Sequence, residues 1–368
     1  MALLSKLDRY FRGDKVILLI MIFLSLFSFF AVSSSTDQWV NQLIHILVCF
    51  GTMIVFYKID YRLLSAFSVI FLGIAMLVLL ATLFLGSDDR TLQLGTRQIQ
   101  TLYFVGFWVI FFIAKFIAVR MNRKEELDIK EFAVLIGVIG VFCALMTKSN
   151  FSTAFILALS CMVVLFVGNI KFKYLMTFLV LGGLFMGILF ATGVGRGSTG
   201  KNRVEAFSAA RNFDTPPKDR ATVDYIRQMV LSQAAIARSA WVPAGPGQGA
   251  IKRTLAEKDT DYIYATVVEE TGIIAGTVII FFYLILFYRA MRIARKSKGY
   301  FGRLLAVGIG FWITCQALLH IAVNCALIPA TGQTLPMISR GGASMLFSGM
   351  MMGVLLNISK QAESKYQF

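Results

Sequence analysis

Long apolar blocks divide the chain, and they decide what it can fold into. Ten of them are close to the roughly 20 residues that a helix needs to cross a bilayer. They occupy 16–33, 39–57, 63–85, 101–119, 132–148, 151–169, 173–193, 266–289, 304–326 and 341–359. Only 15% of the 368 residues are charged and the mean hydropathy is +0.73. The sequence therefore predicts an all-α polytopic membrane protein with about ten transmembrane helices, built as a single membrane domain over 1–368.

Positive charge predicts the orientation of these helices. If both termini are cytoplasmic, twenty Lys and Arg residues fall in inner segments and only four fall in short outer loops. This bias follows the positive-inside rule, so we expect a protein of the cytoplasmic (inner) membrane with both termini in the cytoplasm. The net charge of +16 is then mostly a topology signal. The cations are dispersed among spans, which argues against nucleic-acid binding.

Cysteine and histidine predict neither disulfides nor a metal site. The five cysteines lie in apolar spans without paired spacing, as small core residues do. His45 and His320 are isolated, so a packing role is favoured over proton relay. Zinc or haem would need more ligands than these.

The segment 193–268 predicts one large extracytoplasmic loop between the seventh and eighth spans. It holds eleven Lys and Arg against seven acids, which suits an anionic lipid head group such as a pyrophosphate. The alternative is a generally solvated loop. Its middle, 221–241, predicts an amphipathic helix that rests on the membrane surface or packs onto the bundle. The predicted apolar stripe consists of Val223, Ile226, Val230, Ala234 and Ala237.

An acidic stretch, 257–276, runs directly into the eighth span with the sequence EKDTDYIYATVVEETGIIAG. Asp261 is therefore expected at the edge of the hydrocarbon. An ionisable group at that depth is a functional candidate. The alternative is a helix start whose acids complement the macrodipole.

Two motifs carry a family resemblance. The segment 324–359 is dense in Pro and Gly, residues that break helices. A broken helix is tolerated at membrane depth only where its backbone lines a cavity enclosed by protein. It resembles the pattern N-x-G-L-L-P-x-T-G-x-x-L-P-F-I-S-Y-G-G-S-S of the SEDS family (shape, elongation, division and sporulation). The acidic stretch is similar to the family's P-E-x-H-T-D-F-I-F-A-V-I-A-E-E-L-G. The resemblance covers essentially the whole chain and is closer to the division type than to the elongation type.

The resemblance implies a peptidoglycan glycosyltransferase that polymerises lipid II at the outer membrane face during cell division. Undecaprenyl pyrophosphate would leave with inversion at the anomeric carbon, and Asp261 would be the catalytic base. Arg203, Arg211, Arg238 and Lys252 are the candidates for stabilising the leaving pyrophosphate. Mg²⁺ or Mn²⁺ would be able to share that work, although no dedicated ligand cluster is visible. The full set of predicted substrate-binding residues is Arg97, Arg203, Arg211, Gln228, Ser232, Arg238, Lys252, Glu257, Thr260, Glu269, Glu270, Asn324, Thr331, Pro336, Ser339 and Ser344.

The chain departs from the family pattern in two spans. Where the family commonly has Glu and Lys in Q-P-S-E-F-A-K and Asp in Q-P-D-F-G-T-A, this chain has Tyr103, Gly106 and Asn150. Removing one member of a buried charge network leaves the others unpaired, so we interpret the three changes as one coordinated exchange. Two smaller departures are Asp259 for His and Arg340 for Tyr.

The resemblance also implies partners: lipid II and the growing glycan strand, a class B penicillin-binding transpeptidase, and other divisome membrane proteins. We expect the transpeptidase to dock on outward-facing small residues of the eighth and ninth spans. Two other functions stay open. A lipid II flippase or other transporter would predict inverted repeats, which the sequence does not show convincingly. A catalytically weak scaffold that activates a transpeptidase is favoured by the missing charge network.

Overall fold

The computed structural model describes residues 12–34, 38–86, 91–94, 97–192, 203–209 and 220–363. Residues 203–209 are helical. The remaining elements, in chain order, are α1 Lys15–Ser33, α2 Trp39–Lys58, α3 Tyr61–Ala66, α4 Ser68–Leu85, β1 Thr91–Leu94, β2 Arg97–Gln100, α5 Leu102–Arg123, α6 Ile129–Ser149, α7 Phe151–Val167, α8 Phe172–Thr192, α9 Arg220–Arg238, α10 Ile263–Lys296, α11 Tyr300–Asn324 and α12 Gly342–Glu363.

The apolar blocks form helices as predicted. Eight helices are long and apolar enough to cross a membrane, and two shorter apolar helices, Phe151–Val167 and Phe172–Phe185, account for the other two blocks. This confirms an all-α polytopic membrane protein. The third predicted span is interrupted at Phe67, which separates α3 from α4. A short antiparallel hairpin of β1 and β2 occupies what the sequence indicated only as a loop.

Three helices form the centre of the bundle. In the most apolar 18-residue stretch of each helix, 83% of the residues are buried in α12, 78% in α11 and 72% in α5. The corresponding fraction is only 17% in α2 and 22% in α4. The centre is tightly packed where α5 meets α11: a Cβ placed on Gly106 would overlap the indole of Trp312. The aromatic ring thus fills the space next to a position where the family commonly has Lys.

A helix break in α10 lies within the predicted eighth span. Gly272 has φ +85°, outside the helical region, so α10 consists of two helical segments. The break exposes backbone groups that need partners. The loop after α9 supplies them: the Ala244 and Gly245 N–H groups donate to the carbonyls of Glu269 (2.9 Å) and Glu270 (3.1 Å). The stretch 263–271 therefore lies against this loop as a separate short segment.

The amphipathic helix α9 packs onto the bundle, but on a different face from the predicted stripe. It contacts α10 and α11. Its buried residues include Met229, Ser232 and Ala235, whereas Val223 and Val230 are exposed. Ala237 is exposed as well, so three of the five stripe residues do not pack onto the bundle, and the alternative that the stripe rests on the membrane surface stays a prediction. The Ser232 hydroxyl donates to the Asn324 carbonyl at 2.9 Å, and this buried polar contact orients the helix.

Two glycines of the expected docking face on the eighth and ninth spans, Gly276 and Gly308, face the interior of the protein, and docking at this face stays a prediction. A Cβ on Gly276 would collide with Val268, and one on Gly308 would collide with Ile110. These glycines serve contacts inside the protein because α11 is central and α10 packs against its own first segment. Open glycines, with nothing within 4 Å of an added Cβ, lie on α2 and α4 at Gly51 and Gly73 and on α6 and α8 at Gly137, Gly140, Gly182, Gly183 and Gly187.

The packing of α12 against α2 gives a stability prediction. A Cβ on Gly349 would overlap the carbonyl of Cys49, a backbone atom that cannot give way. We expect Gly349→Ala to destabilise the protein by about 1–3 kcal/mol through overpacking. Gly51→Ala, on α2 with open space around it, is the matched control and should be neutral or slightly stabilising. The thermal midpoint of the detergent-solubilised protein is the measurement; equal midpoints for the two variants would contradict the described helix contact.

Candidate functional site

Asp261 is half-buried, two residues before α10 begins. Its backbone is held by Asn324, the last residue of α11, whose amide nitrogen donates to the Asp261 carbonyl at 3.0 Å. The amide oxygen of Asn324 accepts from the Ala265 N–H at 3.0 Å. Because Asn324 is fully buried, both contacts form away from water. They fix the start of α10 and thereby the position of Asp261.

The two family-like motifs meet at this point. The buried Ser339 hydroxyl donates to the Thr260 carbonyl at 2.8 Å and accepts from the Leu335 N–H at 2.7 Å. The Thr260 hydroxyl in turn donates to the exposed Glu257 carboxylate at 2.6 Å. The turn that carries Asp261 is therefore bound to the 325–341 loop on one side and to α11 on the other. Such support limits the backbone freedom of a candidate catalytic group.

The two smaller departures from the family pattern contact each other. Arg340 Nη1 lies 3.6 Å from Asp259 Oδ2, and the Arg340 N–H donates to the Asp259 carbonyl at 2.8 Å. Arg340 Nη1 also donates to Gln38 Oε1 at 2.8 Å. Asp259 is buried and Arg340 is partly exposed. An ion pair thus stands where the family commonly has His and Tyr, two residues from Asp261.

A buried charge cluster holds the loop after α9 against α10. The Lys252 ammonium pairs with the Glu270 carboxylate and donates to the Ser34 hydroxyl at 2.8 Å. Ser34 donates to Glu270 at 2.6 Å. Glu269 accepts the backbone N–H groups of Ile251 (2.8 Å) and Lys252 (2.9 Å). Three of the predicted substrate-binding residues therefore bind other residues of the protein and are buried: Lys252, Glu269 and Glu270.

A neutral hydrogen-bond network occupies the region of the expected charge network. The Tyr103 hydroxyl lies 2.8 Å from Thr334 Oγ1, which donates to the Ser344 hydroxyl at 2.9 Å. Gln316 donates to the Thr334 carbonyl at 2.9 Å. The site therefore has a neutral phenol where the family commonly has a Glu.

Asn150 extends this neutral arrangement. Its side-chain oxygen caps α7 by accepting from the Ser152 and Thr153 N–H groups, at 3.0 and 3.3 Å. The same oxygen accepts from Gln333 Nε2 at 3.2 Å. The Gln333 carbonyl lies 2.7 Å from Nδ1 of the buried His320. Asn caps a helix as well as Asp does, so the amide keeps the local structure without a buried charge.

The predicted cations are not brought together. Arg203 lies at the site, where its Nη1 donates to the Ala330 carbonyl at 2.9 Å. Lys252 is buried in its cluster, and Arg238 is exposed at the end of α9. Arg211 lies outside the described residues. Only Arg203 is therefore observed beside the 325–341 loop.

The remaining predicted residues fall in different surroundings. Arg97 belongs to β2, and Gln228 is half-buried on α9. The buried Thr331 hydroxyl has no hydrogen-bond partner among the described residues. The Pro336 carbonyl accepts a hydrogen bond from Tyr283. Across the described residues, no group of three or more His, Cys, Asp and Glu side chains is suited to hold a metal ion.

Sequence analysis missed a further residue of the site, Tyr225. Its hydroxyl accepts from the Ala330 N–H at 2.7 Å, next to Arg203. Burial raises the pKa of Tyr225, so the phenol stays protonated at neutral pH. Tyr225 follows the helical spacing of α9, and its place in the sequence gave no signal of a polar role.

Comparisons with known proteins identify the family of this chain. A family model described as "Cell cycle protein" (FTSW_RODA_SPOVE) matches residues 14–364. "Stage V sporulation protein E" of Bacillus subtilis is 30% identical over 269 residues, 72% of this chain and 70% of that protein. "Probable peptidoglycan glycosyltransferase FtsW" of Trichlorobacter lovleyi is 28% identical, covering 97% of this chain and 96% of that protein.

Two solved structures share the fold. A chain from the work "Structural coordination of polymerization and crosslinking by a peptidoglycan synthase complex" has a TM-score of 0.77 at 17% identity, covering 96% of this chain and 99% of that chain. The Thermus thermophilus Rod shape determining protein RodA has a TM-score of 0.69 at 16% identity, covering 97% and 98%. The family model spans nearly the whole sequence, and the chain therefore belongs to the FtsW, RodA and SpoVE family of cell cycle proteins.

Proposed function

We propose that this protein is a peptidoglycan glycosyltransferase that polymerises lipid II into glycan strands during cell division. One observation carries the proposal: Asp261, a half-buried acid of the first motif at the start of a membrane helix, has its backbone held by Asn324 and Ser339 of the second motif. Relatives that match nearly the full chain are named as probable peptidoglycan glycosyltransferases of the FtsW type. The activity is that of a multi-pass membrane enzyme at the outer face of the cytoplasmic membrane.

The proposed reaction follows from the chemistry of lipid II. The 4-hydroxyl of an incoming lipid II sugar attacks the anomeric carbon of the lipid-linked strand. Asp261 accepts the hydroxyl proton as general base, the new glycosidic bond forms, and the bond to undecaprenyl pyrophosphate breaks with inversion. Arg203 is the cation best placed to meet the charge that develops on the leaving pyrophosphate. Mg²⁺ or Mn²⁺ is tested as a further contributor by adding EDTA to the assay.

The surrounding residues prepare this step without exchanging protons. Asn324 and Ser339 fix the backbone on both sides of Asp261. The Lys252, Glu269 and Glu270 cluster anchors the loop after α9 to α10. Positioning of this kind lowers the entropy cost of bringing reactants together.

The partner in this proposal is a single-span class B penicillin-binding transpeptidase, together with other divisome membrane proteins. One structural relative comes from a peptidoglycan synthase complex that couples polymerization and crosslinking. Close approach of another helix needs small outward-facing residues. The open glycines of α6 and α8 supply such surfaces.

The neutral network favours a second candidate function, a catalytically weak scaffold that activates its transpeptidase. Tyr103 and Asn150 leave fewer charges around Asp261 than the family pattern has. A site with fewer fixed charges stabilises a developing pyrophosphate less. The two candidates differ in whether the purified protein polymerises lipid II.

Asp261→Asn is the decisive test of the enzyme proposal. The substitution keeps the shape of the side chain and removes the base, so we expect polymerisation to fall about 10²–10⁴-fold. Glu257→Gln should cost less, because the Glu257 carboxylate is exposed and its described contact is with the hydroxyl of the neighbouring Thr260. Product chain length from purified protein, transpeptidase and lipid II is the measurement, with lipid II binding and thermal midpoint as checks on folding. Retention of more than about a third of the wild-type rate would favour the scaffold.

The Asp259–Arg340 pair generates a second prediction. Arg340→Gln leaves the buried Asp259 carboxylate without its ion-pair partner, so we expect a larger loss of unfolding free energy than from Asp259→Asn. The double variant should lose less unfolding free energy than the two single variants lose together, with a coupling of about 0.5–3 kcal/mol. The unfolding free energies are measured by titration with SDS. The exposed pair Arg123–Glu125 is the control, and its coupling should be below about 0.5 kcal/mol. Additive effects of the substitutions at 259 and 340 would show that the Asp259–Arg340 pair does not stabilise the protein.

Membrane orientation is tested by cysteine labelling. The charge bias places 193–268 outside and 289–303 inside. In a cysteine-free background we expect the exposed Ser208→Cys to react with an impermeant maleimide once the outer face of the inner membrane is accessible. Gly299→Cys, which has open space around it, should react only after that membrane is permeabilised. The reverse pattern would overturn the proposed topology.

A further inference from the structure

A basic cavity lies at the opposite end of the bundle from Asp261, between α3, the C-terminal half of α5 and the turn from α10 to α11. Its volume is about 270 Å³. The lining includes three cations and three neutral polar residues: Arg62, Lys115, Lys298, Ser65, Asn122 and Tyr300. The charge bias assigns this side of the membrane to the cytoplasm.

Lys115 is the unusual member of this cavity. It precedes the end of α5 at Arg123 by eight residues, which is about 12 Å along the helix. An ionisable side chain within a membrane span is costly and marks a functional site. Lys115 Nζ donates to the Ser65 hydroxyl at 3.2 Å, and among the described residues no carboxylate lies within 4.0 Å of it. By contrast, Arg289 on α10 is paired with Asp14 at 2.6 Å.

A neighbouring cavity shows that the excess of positive charge is specific to this one. The two cavities share Tyr300. In the neighbour, two of the three lining cations are paired with acids: Arg120 pairs with Glu125 and Glu131, and Lys171 pairs with Glu126. The lining of the basic cavity contains no Asp or Glu.

The nearest acid in sequence is already engaged. Asp60 caps α3 by accepting from the Arg62 N–H at 2.9 Å, and it accepts from Gln361 at 2.8 Å. Asp60 does not line the cavity. The cavity lining therefore supplies no anion to pair with Lys115.

We propose that this cavity binds the phosphate of an anionic membrane lipid. Lys115 and Lys298 would pair with the phosphate, and Ser65 and Asn122 would hydrogen-bond to its oxygens. A lipid is favoured over a soluble phosphate because Lys115 lies within an apolar span and Ala118 and Val119 belong to the lining. Leu63 and Phe67 are large, exposed apolar residues that are close in sequence to the lining residues Arg62 and Ser65. They would contact the acyl chains.

Native mass spectrometry of the full-length protein in detergent tests the proposal. Dioleoyl phosphatidylglycerol, dioleoyl phosphatidylcholine and inorganic phosphate are the three probes. We expect phosphatidylglycerol to bind most tightly, and Lys115→Met to weaken it about tenfold or more, since a charge-assisted contact contributes on the order of 1.5–3 kcal/mol. Lys115→Arg should keep most of the affinity. Lys130→Met, an exposed lysine on the same predicted side that lines neither cavity, should leave it unchanged.

A second variant guards against misfolding of Lys115→Met. Lys298 is exposed in the turn between α10 and α11, so Lys298→Met opens no core cavity and should also weaken phosphatidylglycerol binding. Equal affinity for phosphatidylglycerol and phosphatidylcholine would overturn the proposal. So would unchanged binding in both lysine variants. Competition by millimolar inorganic phosphate would identify a soluble anion site instead of a lipid site.

Discussion

The need to pair every backbone polar group away from water governs this structure. Helix ends and breaks inside an apolar bundle expose N–H and C=O groups that lipid cannot satisfy. Here the break at Gly272 is capped by the loop after α9, and the end of α11 is capped by the Asn324 side chain. These same contacts carry Asp261. The site is thus a product of how the fold satisfies its interrupted helices.

Charge in this protein follows the cost of desolvation. Deep in the bundle, the positions of the family's charged residues are taken by Tyr103, Gly106 and Asn150, and their partners are neutral donors and acceptors. The indole of Trp312 packs against Gly106, so a single reversion to Lys would find no space. Nearer the loop, where Arg340 is partly exposed, the exchange instead introduces an ion pair. Both patterns match the expectation that a buried charge is retained only with a partner.

The sequence predicted the helices well because apolar length is a direct signal of membrane crossing. It also identified the two motifs that meet at Asp261, since Pro, Gly and polar residues are conspicuous among apolar spans. It failed where tertiary contacts decide. The buried face of α9 is set by the bond from Ser232 to Asn324, and the pairing of Asp259 with Arg340 joins residues 81 positions apart. Lys115 was overlooked because a single cation barely changes the apolar character of its span.

The helix α5 connects the site with the proposed lipid cavity, since it carries Tyr103 near one end and Lys115 toward the other. Such a connection suggests signalling, but a switch needs an element with two arrangements. The described packing of α5, with Gly106 against Trp312 and a stacked Phe71–Trp108 pair, leaves little room for a second one. A bound lipid would therefore act on the folding equilibrium. A ligand that binds only the folded state stabilises that state, and the stabilisation grows with the ligand concentration relative to its Kd. The proposed lipid would therefore stabilise the helix that joins the two ends of the bundle, without a switch that alters the proposed chemistry at Asp261.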